Sequence, residues 1–384
     1  MIKPSRGRGI AITRRAFAAR CSGAAAFAHL FSEMAFAQRA TITMADLPKD
    51  TVWLNANENP AGPPEVSLAA MREVLNSSGR YHYQEFPEIY RAIAKSEDLS
   101  PGEIVTGSGS SEVLHSSVDA FTSATRPLIS VSPAYEGPID LARALGRPVV
   151  LTKLREDYTA DVRKMAEEAK KAGGGLIYLC NPNNPTSAFT AAADLDWLVK
   201  NLPSDTVLLV DEAYIHFGES PDLKSALPYI RQGADVVVAR TFSKIYGMAG
   251  LRVGFAAARP ALAEKLQRLR MNVFSIVSAR AVLAALANKD ALLRERRAAL
   301  AGTRRELCGW LREREIPFNE QPQANFVMID TGRGAREFIS AMPKLGVVPG
   351  RPFPPLDNML RVTIGTDDEM ARFREVFWKV YRTA

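Results

Sequence analysis

Short β-type runs recur through the middle of this chain, and each is continuous in hydrophobicity rather than alternating. They are Ile104-Val105-Thr106, Leu128-Ile129-Ser130-Val131, Leu176-Ile177-Tyr178-Leu179, Val207-Leu208-Leu209-Val210, Val236-Val237-Val238 and Val253-Gly254-Phe255. A strand with one wet face alternates polar and apolar residues, whereas a strand covered on both faces does not. Helical patterns separate the runs. The sequence therefore predicts the α/β class, with a mainly parallel central sheet covered by helices. A long helical stretch is expected from Pro260 through Leu262, Leu266, Leu269 and beyond. The last third, ending in Leu360-Arg361-Val362-Thr363, reads as a smaller α+β domain.

Polar clusters stand directly after four of the runs. Gly107-Ser108-Gly109-Ser110-Ser111-Glu112 comes after the first, Asn181-Pro182-Asn183-Asn184-Pro185-Thr186 after the third, Asp211-Glu212-Ala213-Tyr214 after the fourth and Arg240-Thr241-Phe242-Ser243-Lys244 after the fifth. Ligands of open α/β sheets bind at the carboxyl ends of strands, so these clusters are expected to form one site. Ser110, Ser111 and Glu112 open a helix, whose free N–H groups and dipole suit an anion. The loop lacks the Gly-Lys-Ser/Thr of a P-loop and the third glycine of a dinucleotide fingerprint. Asp211 comes after aliphatic residues and needs a partner at a dry strand end, which a protonated pyridine nitrogen would supply. Lys244, among Thr241, Ser243 and Arg252, is placed to react with an aldehyde.

Charge and cysteine usage exclude several classes. The net charge is +7, but Lys3, Arg6, Arg8, Arg14, Arg15 and Arg20 precede residue 38 against the single acid Glu33, so no nucleic-acid patch is expected in the rest. Cys21, Cys180 and Cys308 form no C-x-x-C, and the histidines are scattered, so neither a disulfide framework nor a metal site is expected. Cys180 and Cys308 read as small buried side chains. No G-x-S-x-G supports a hydrolase.

Residues 1–37 read as an export signal. A basic start leads to Thr13-Arg14-Arg15-Ala16-Phe17, which resembles the twin-arginine motif, then to an Ala-rich stretch and Ala35-Phe36-Ala37 before Gln38. Arg20, His29 and Glu33 interrupt the apolar stretch, so a stable membrane anchor is not expected. The twin-arginine export machinery is the implied partner, and a periplasmic or other extracytoplasmic location the implied destination, with the cytoplasm the alternative.

The run Ser243-Lys244-x-x-Gly247-x-x-Gly250-x-Arg252-x-Gly254 resembles the lysine signature of class I/II aminotransferases of fold type I, and Asn181-Pro182-Asn183-Asn184-Pro185-Thr186 is similar to their Asn-Pro-x-Asn-Pro-Thr motif. Leu54-Asn55-Ala56-Asn57-Glu58-Asn59-Pro60 and Leu360-Arg361-Val362-Thr363-Ile364-Gly365-Thr366 resemble the histidinol-phosphate aminotransferase branch. The resemblance spans about residues 50–380. It implies pyridoxal 5'-phosphate as cofactor, an amino donor (histidinol phosphate or an aromatic amino acid among the candidates), a 2-oxo acid acceptor and a homodimer. It also implies roles. Lys244 holds the cofactor as a Schiff base and then moves the substrate's proton. Asp211 pairs with the pyridine nitrogen. Asn184 and Tyr214 bond the phenolic oxygen, and Tyr135 stacks on the ring. Ser110, Ser111, Thr241 or Ser243, and Arg252 bind the phosphate. Arg361, with Asn184, meets the substrate carboxylate, for which its planar fork is suited. Tyr81 reaches the phosphate of the neighbouring subunit, with Tyr83 equally near.

The implied division is a signal at 1–37, an N-terminal arm at 38–67 that joins the small domain, a large cofactor-binding domain at 68–262 and a small domain at 263–384. The chain departs from the branch in three places. No Pro-Tyr lies in Ala40–Trp53, Val347-Val348-Pro349-Gly350-Arg351-Pro352-Phe353 replaces an arginine-bearing pattern, and Thr186-Ser187 stands for Thr-Gly. Arg351 either binds a second anionic group or pairs on the surface. A threonine-phosphate type decarboxylase shares the fold and the lysine motif, and a non-catalytic binding protein on this scaffold is the reading from a different class. The presence of both Lys244 and Asp211 speaks against the latter.

Overall fold

A computed structural model describes residues 47–271 and 273–383. Contacts divide the chain into Met1–Thr41 and Ile42–Ala384, and the strands and helices named below all belong to the second unit. The expected signal at 1–37 lies outside the described residues.

The strands are β1 (Val52–Trp53), β2 (Ile104–Ser108), β3 (Leu128–Ser132), β4 (Val149–Lys153), β5 (Gly175–Cys180), β6 (Thr206–Asp211), β7 (Val236–Thr241), β8 (Val253–Ala258), β9 (Phe326–Asp330), β10 (Val347–Val348) and β11 (Met359–Thr363). Seven of them form the main sheet in the order β2-β8-β7-β6-β5-β3-β4. Neighbours β3 to β7 pair in parallel, and β5, β7 and β8 are buried at every residue. That burial explains why their sequences do not alternate.

One expected strand runs the other way. β8 is antiparallel to both β7 and β2. Two reversals restore the direction of β2, so the carboxyl ends of β2, β3, β5, β6 and β7 share one edge, and the start of β8 joins them there.

The helix Ser110–Phe121 begins after Gly109, whose φ of +79° only glycine adopts freely, and packs Val113, Leu114, Val118 and Phe121 inward. The helical stretch expected to pass beyond Leu269 stops there. Arg270 turns extended, its guanidinium bonds Thr106 Oγ1 at 3.2 Å and the Tyr90 hydroxyl, and Met271 N–H donates to Glu112 at 2.9 Å. A new helix, Ile276–Ala287, starts after Ser275, whose hydroxyl caps Ser278 N–H at 3.1 Å.

The C-terminal third pairs β9 and β11 antiparallel, placing Arg361 opposite Met328. The closing helix Asp367–Arg382 carries a capping box of Thr366 and Glu369 and buries Met370, Phe373, Phe377 and Val380 at helical spacing. β1 pairs with β10 and ties residues 52–53 to 347–348.

Candidate active site

The site forms where the strand ends converge. Asp211 is the last residue of β6 and is buried. Its carboxylate accepts from the Tyr178 hydroxyl at 3.2 Å and the Ala213 N–H at 3.1 Å. Burial pushes its pKa up to about 6, against the opposing pull of those two donors and the charge of Lys244. Lys244 lies just beyond β7, and its Nζ donates to the Ala56 carbonyl at 3.2 Å and lies 5.7 Å from the centre of the Tyr214 ring. Tyr214 is buried, and its hydroxyl accepts from Asn57 Nδ2 at 3.0 Å while its ring meets Phe326 edge-on. Burial pushes the phenol's pKa up, so it remains a neutral donor at ordinary pH.

Arg361 on β11 faces the same space. Its Nη1 donates to Asn184 Oδ1 at 2.7 Å and its Nη2 to the Asn55 carbonyl at 2.6 Å. Its Nε is buried without a hydrogen-bond partner. Burial lowers the pKa of this guanidinium to about 10. A buried cation with an orphaned donor invites an anion.

The anion loop is equally specific. A Cβ at Gly109 would lie 2.5 Å from Arg252 Nη2, and one at Gly254 would lie 2.6 Å from the Gly109 carbonyl carbon. Arg252 is held by a bond from Nη1 to the Ala249 carbonyl at 3.0 Å, with its backbone at φ +55°. Ser110 and Ser111 supply the first turn of the helix. Thr241 and Ser243 are buried and bonded to each other at 2.9 Å, and Thr241 Oγ1 also bonds the Val253 carbonyl at 3.4 Å. Tyr135 lies in the loop after β3, and its ring rests against Gly137, where a Cβ would come within 2.8 Å.

The structure thus brings together Lys244, Asp211, Tyr214, Asn184 and Arg361, with the Ser110, Thr241, Ser243 and Arg252 cluster at the same sheet edge. It does not bring in Tyr81, which is 74% exposed and stacked on Tyr83 at 5.1 Å. Among the described residues, no group of His, Cys, Asp and Glu is arranged to hold a metal ion, and no helix is long and apolar enough to cross a membrane. Cys180 and Cys308 are buried and unpaired.

The sequence reading assigned no role to several contributors. Tyr178 sits inside β5 and looks like plain core, yet it bonds Asp211. Asn57 lies within a quoted motif, and its left-handed backbone (φ +54°) aims its amide at Tyr214. Arg296 bonds the Ile245 and Gly62 carbonyls at 3.0 and 2.7 Å, fixing the 56–62 segment beside the lysine loop.

The donor set fits a phosphorylated pyridine aldehyde. Asp211 is a buried carboxylate that a ring cation would keep ionised. The Gly109–Arg252 hollow has no room for a methyl group, which sets that cation beside the start of the helix Ser110–Phe121, a place suited to a phosphate. Lys244 is the primary amine of the set.

Comparison with known proteins gives concordant results. The sequence pattern of the family described as aminotransferase class I and II matches residues 49–377. A histidinol-phosphate aminotransferase of Symbiobacterium thermophilum is 36% identical over 338 residues, covering 85% of this chain and 89% of that protein. Histidinol-phosphate aminotransferase 2 of Pseudomonas fluorescens is 31% identical, covering 88% and 90%. The solved histidinol-phosphate aminotransferase of Sinorhizobium meliloti, in complex with pyridoxal-5'-phosphate, superposes with a TM-score of 0.81 at 26% identity, covering 87% of this chain and 92% of that one.

Proposed function

From the premise that this chain belongs to the class I and II aminotransferases, on the histidinol-phosphate aminotransferase branch, we infer how its residues carry out a pyridoxal-phosphate-dependent amino transfer. The enzyme moves an amino group from an amino acid or amino-acid-like donor to a 2-oxo acid. The observation that carries the residue assignment is the meeting of Lys244, Asp211, Tyr214, Asn184 and Arg361 at one sheet edge.

When bound, pyridoxal phosphate supplies an aldehyde for the amino group and a ring that accepts electrons released at the donor's α-carbon. Lys244 Nζ would be the amine that holds the aldehyde, and as a free amine it would take the proton from the donor's α-carbon as general base. Asp211 would keep the ring nitrogen protonated. Tyr214, fixed by Asn57, and Asn184 would bond the phenolic oxygen, and Tyr135 would cover one ring face. The Ser110 and Ser111 amides, Thr241 or Ser243, and Arg252 would take the phosphate. Arg361, oriented by the Asn184 oxygen, would meet the donor's anionic group.

The purified, cofactor-loaded chain should be yellow and lose its visible absorption when a suitable amino acid is added, and a 2-oxo acid should restore it. Release of carbon dioxide without a 2-oxo acid would instead indicate decarboxylation.

Three further assignments rest on sequence and family. We propose that residues 1–37 direct twin-arginine export and are removed before Gln38, leaving a periplasmic enzyme, and N-terminal sequencing of the native protein would decide. We also propose a homodimer in which Tyr81, or Tyr83, reaches the partner's phosphate, and a division into an arm at 38–67, a large domain at 68–262 and a small domain at 263–384.

A further inference from the structure

Two arginines share one aromatic ring beside the site. The Arg361 guanidinium lies 4.7 Å from the centre of the Phe353 ring, and that of Arg351 lies 4.2 Å from the same centre. Gly350 N–H donates to the Arg361 carbonyl at 2.8 Å, which fixes Arg351 next to its neighbour. By position, Arg351 would be a ready anchor for a second anion on any ligand already held by Arg361. It is already engaged. Its Nη2 pairs with the Glu136 carboxylate, and its Nη1 bonds the Pro352 carbonyl at 2.9 Å. Glu136 comes from the loop after β3, immediately beyond Tyr135, so it reaches Arg351 from the ring-covering wall. Both Arg351 and Glu136 bear on the charge of Arg361, in opposite senses.

We propose that Glu136 makes this site selective for donors with a single anionic group, the one that meets Arg361, and an uncharged far end. The inference rests on the assignment of Arg361 to the donor's anionic group. A second carboxylate or a phosphate at the far end would have to settle beside the Glu136 carboxylate or break its pair with Arg351. Like charges in contact discriminate strongly, and selectivity of this kind comes from repulsion as much as attraction. An amide, hydroxyl or aromatic tail meets neither cost.

The test uses the cofactor-loaded full chain and two ligands of one shape that differ by one charge. Glutarate carries two carboxylates and glutaramate one, and neither has an amino group, so no turnover intervenes. Titration calorimetry should show glutaramate binding at least about tenfold more tightly than glutarate in the wild type. Glu136→Gln should remove that preference by strengthening glutarate while leaving glutaramate little changed. The half-reaction should follow, with glutamine preferred to glutamate in the wild type only. Wild-type preference for glutarate, lost in Arg351→Gln, would overturn the proposal, because Arg351 would then be the second anchor. Equal weakening of both ligands in Glu136→Gln would also overturn it, since the pair would then only brace the walls. If no amino acid alters the cofactor's absorbance, the aminotransferase reading fails, and the calorimetric ratio still decides the role of Glu136.

Discussion

Arg361 Nη1 donates to Asn184 Oδ1 at 2.7 Å across 177 residues of sequence, and this bond joins the loop after β5 to β11. It leaves the buried Nε of Arg361 as the unmatched donor at the site. Replacing Arg361 with Lys keeps a cation but removes the planar fork. The expected result is a rise in KM for carboxylate donors and a loss of about tenfold to a hundredfold in kcat/KM, the scale of one or two charge-assisted hydrogen bonds. Steady-state kinetics with several donors would check it, and an unchanged KM would remove Arg361 from the donor site.

Lys244→Ala takes away the only amine assigned to the aldehyde. Turnover should fall by at least about a thousandfold, in line with loss of a nucleophile that is also the base. Borohydride reduction followed by peptide mapping should find cofactor on Lys244 in the wild type and on no lysine in the variant. A stable label elsewhere in the variant would refute the assignment.

Much of this arrangement was legible in the sequence because strand ends and their loops are local. Asp211, Lys244 and Asn184 each stand at or just past the end of an apolar run, and parallel pairing brings such ends together. The reversal of β8 was not legible, since Val253-Gly254-Phe255 is buried on both faces whichever way it runs. Tyr178 escaped for a related reason, because an aromatic inside a buried strand reads as core until the neighbouring strand puts Asp211 beside it. The pairing of Glu136 with Arg351 joins residues 215 apart with no shared motif, so only the folded chain reveals it. The end of the helix at Leu269 depended on Arg270 finding Tyr90 and Thr106, again distant in sequence.

Gly109 is a second position where backbone and ligand chemistry meet. Alanine there would carry φ +79° and put a methyl group 2.5 Å from Arg252 Nη2. That backbone (φ +79°, ψ 168°) belongs to a region essentially confined to glycine and costs an L-residue about 1–3 kcal/mol, and the arginine must move to make room. Gly109→Ala should therefore bind pyridoxal phosphate at least about tenfold more weakly while keeping its spectrum at saturating cofactor. Equilibrium titration of the cofactor-free chain would measure it, and wild-type affinity would show that the hollow does not hold the phosphate.

The buried Asp211 carboxyl gives a pH signature with a definite sign. Its pKa rises from the ordinary 3.8 to about 6 in the folded chain, chiefly through burial. Between about pH 4 and pH 6 the folded chain thus keeps a proton that the unfolded chain has released, so this group's contribution to stability is greatest below pH 4 and is lost as pH rises through 6. The gap amounts to about 3 kcal/mol. Asp211→Asn has nothing to ionise at that position. Without cofactor, the variant should lose less stability than the wild type between pH 4 and pH 6.5, as read by urea unfolding at each pH. Bound cofactor should flatten the wild-type curve, because a cationic ring nitrogen favours the carboxylate. The variant should still hold cofactor through Lys244, yet proton removal from the donor's α-carbon should slow markedly. Parallel stability curves for the two chains would show that Asp211 is not the titrating group, and an unchanged half-reaction rate would detach it from the ring nitrogen.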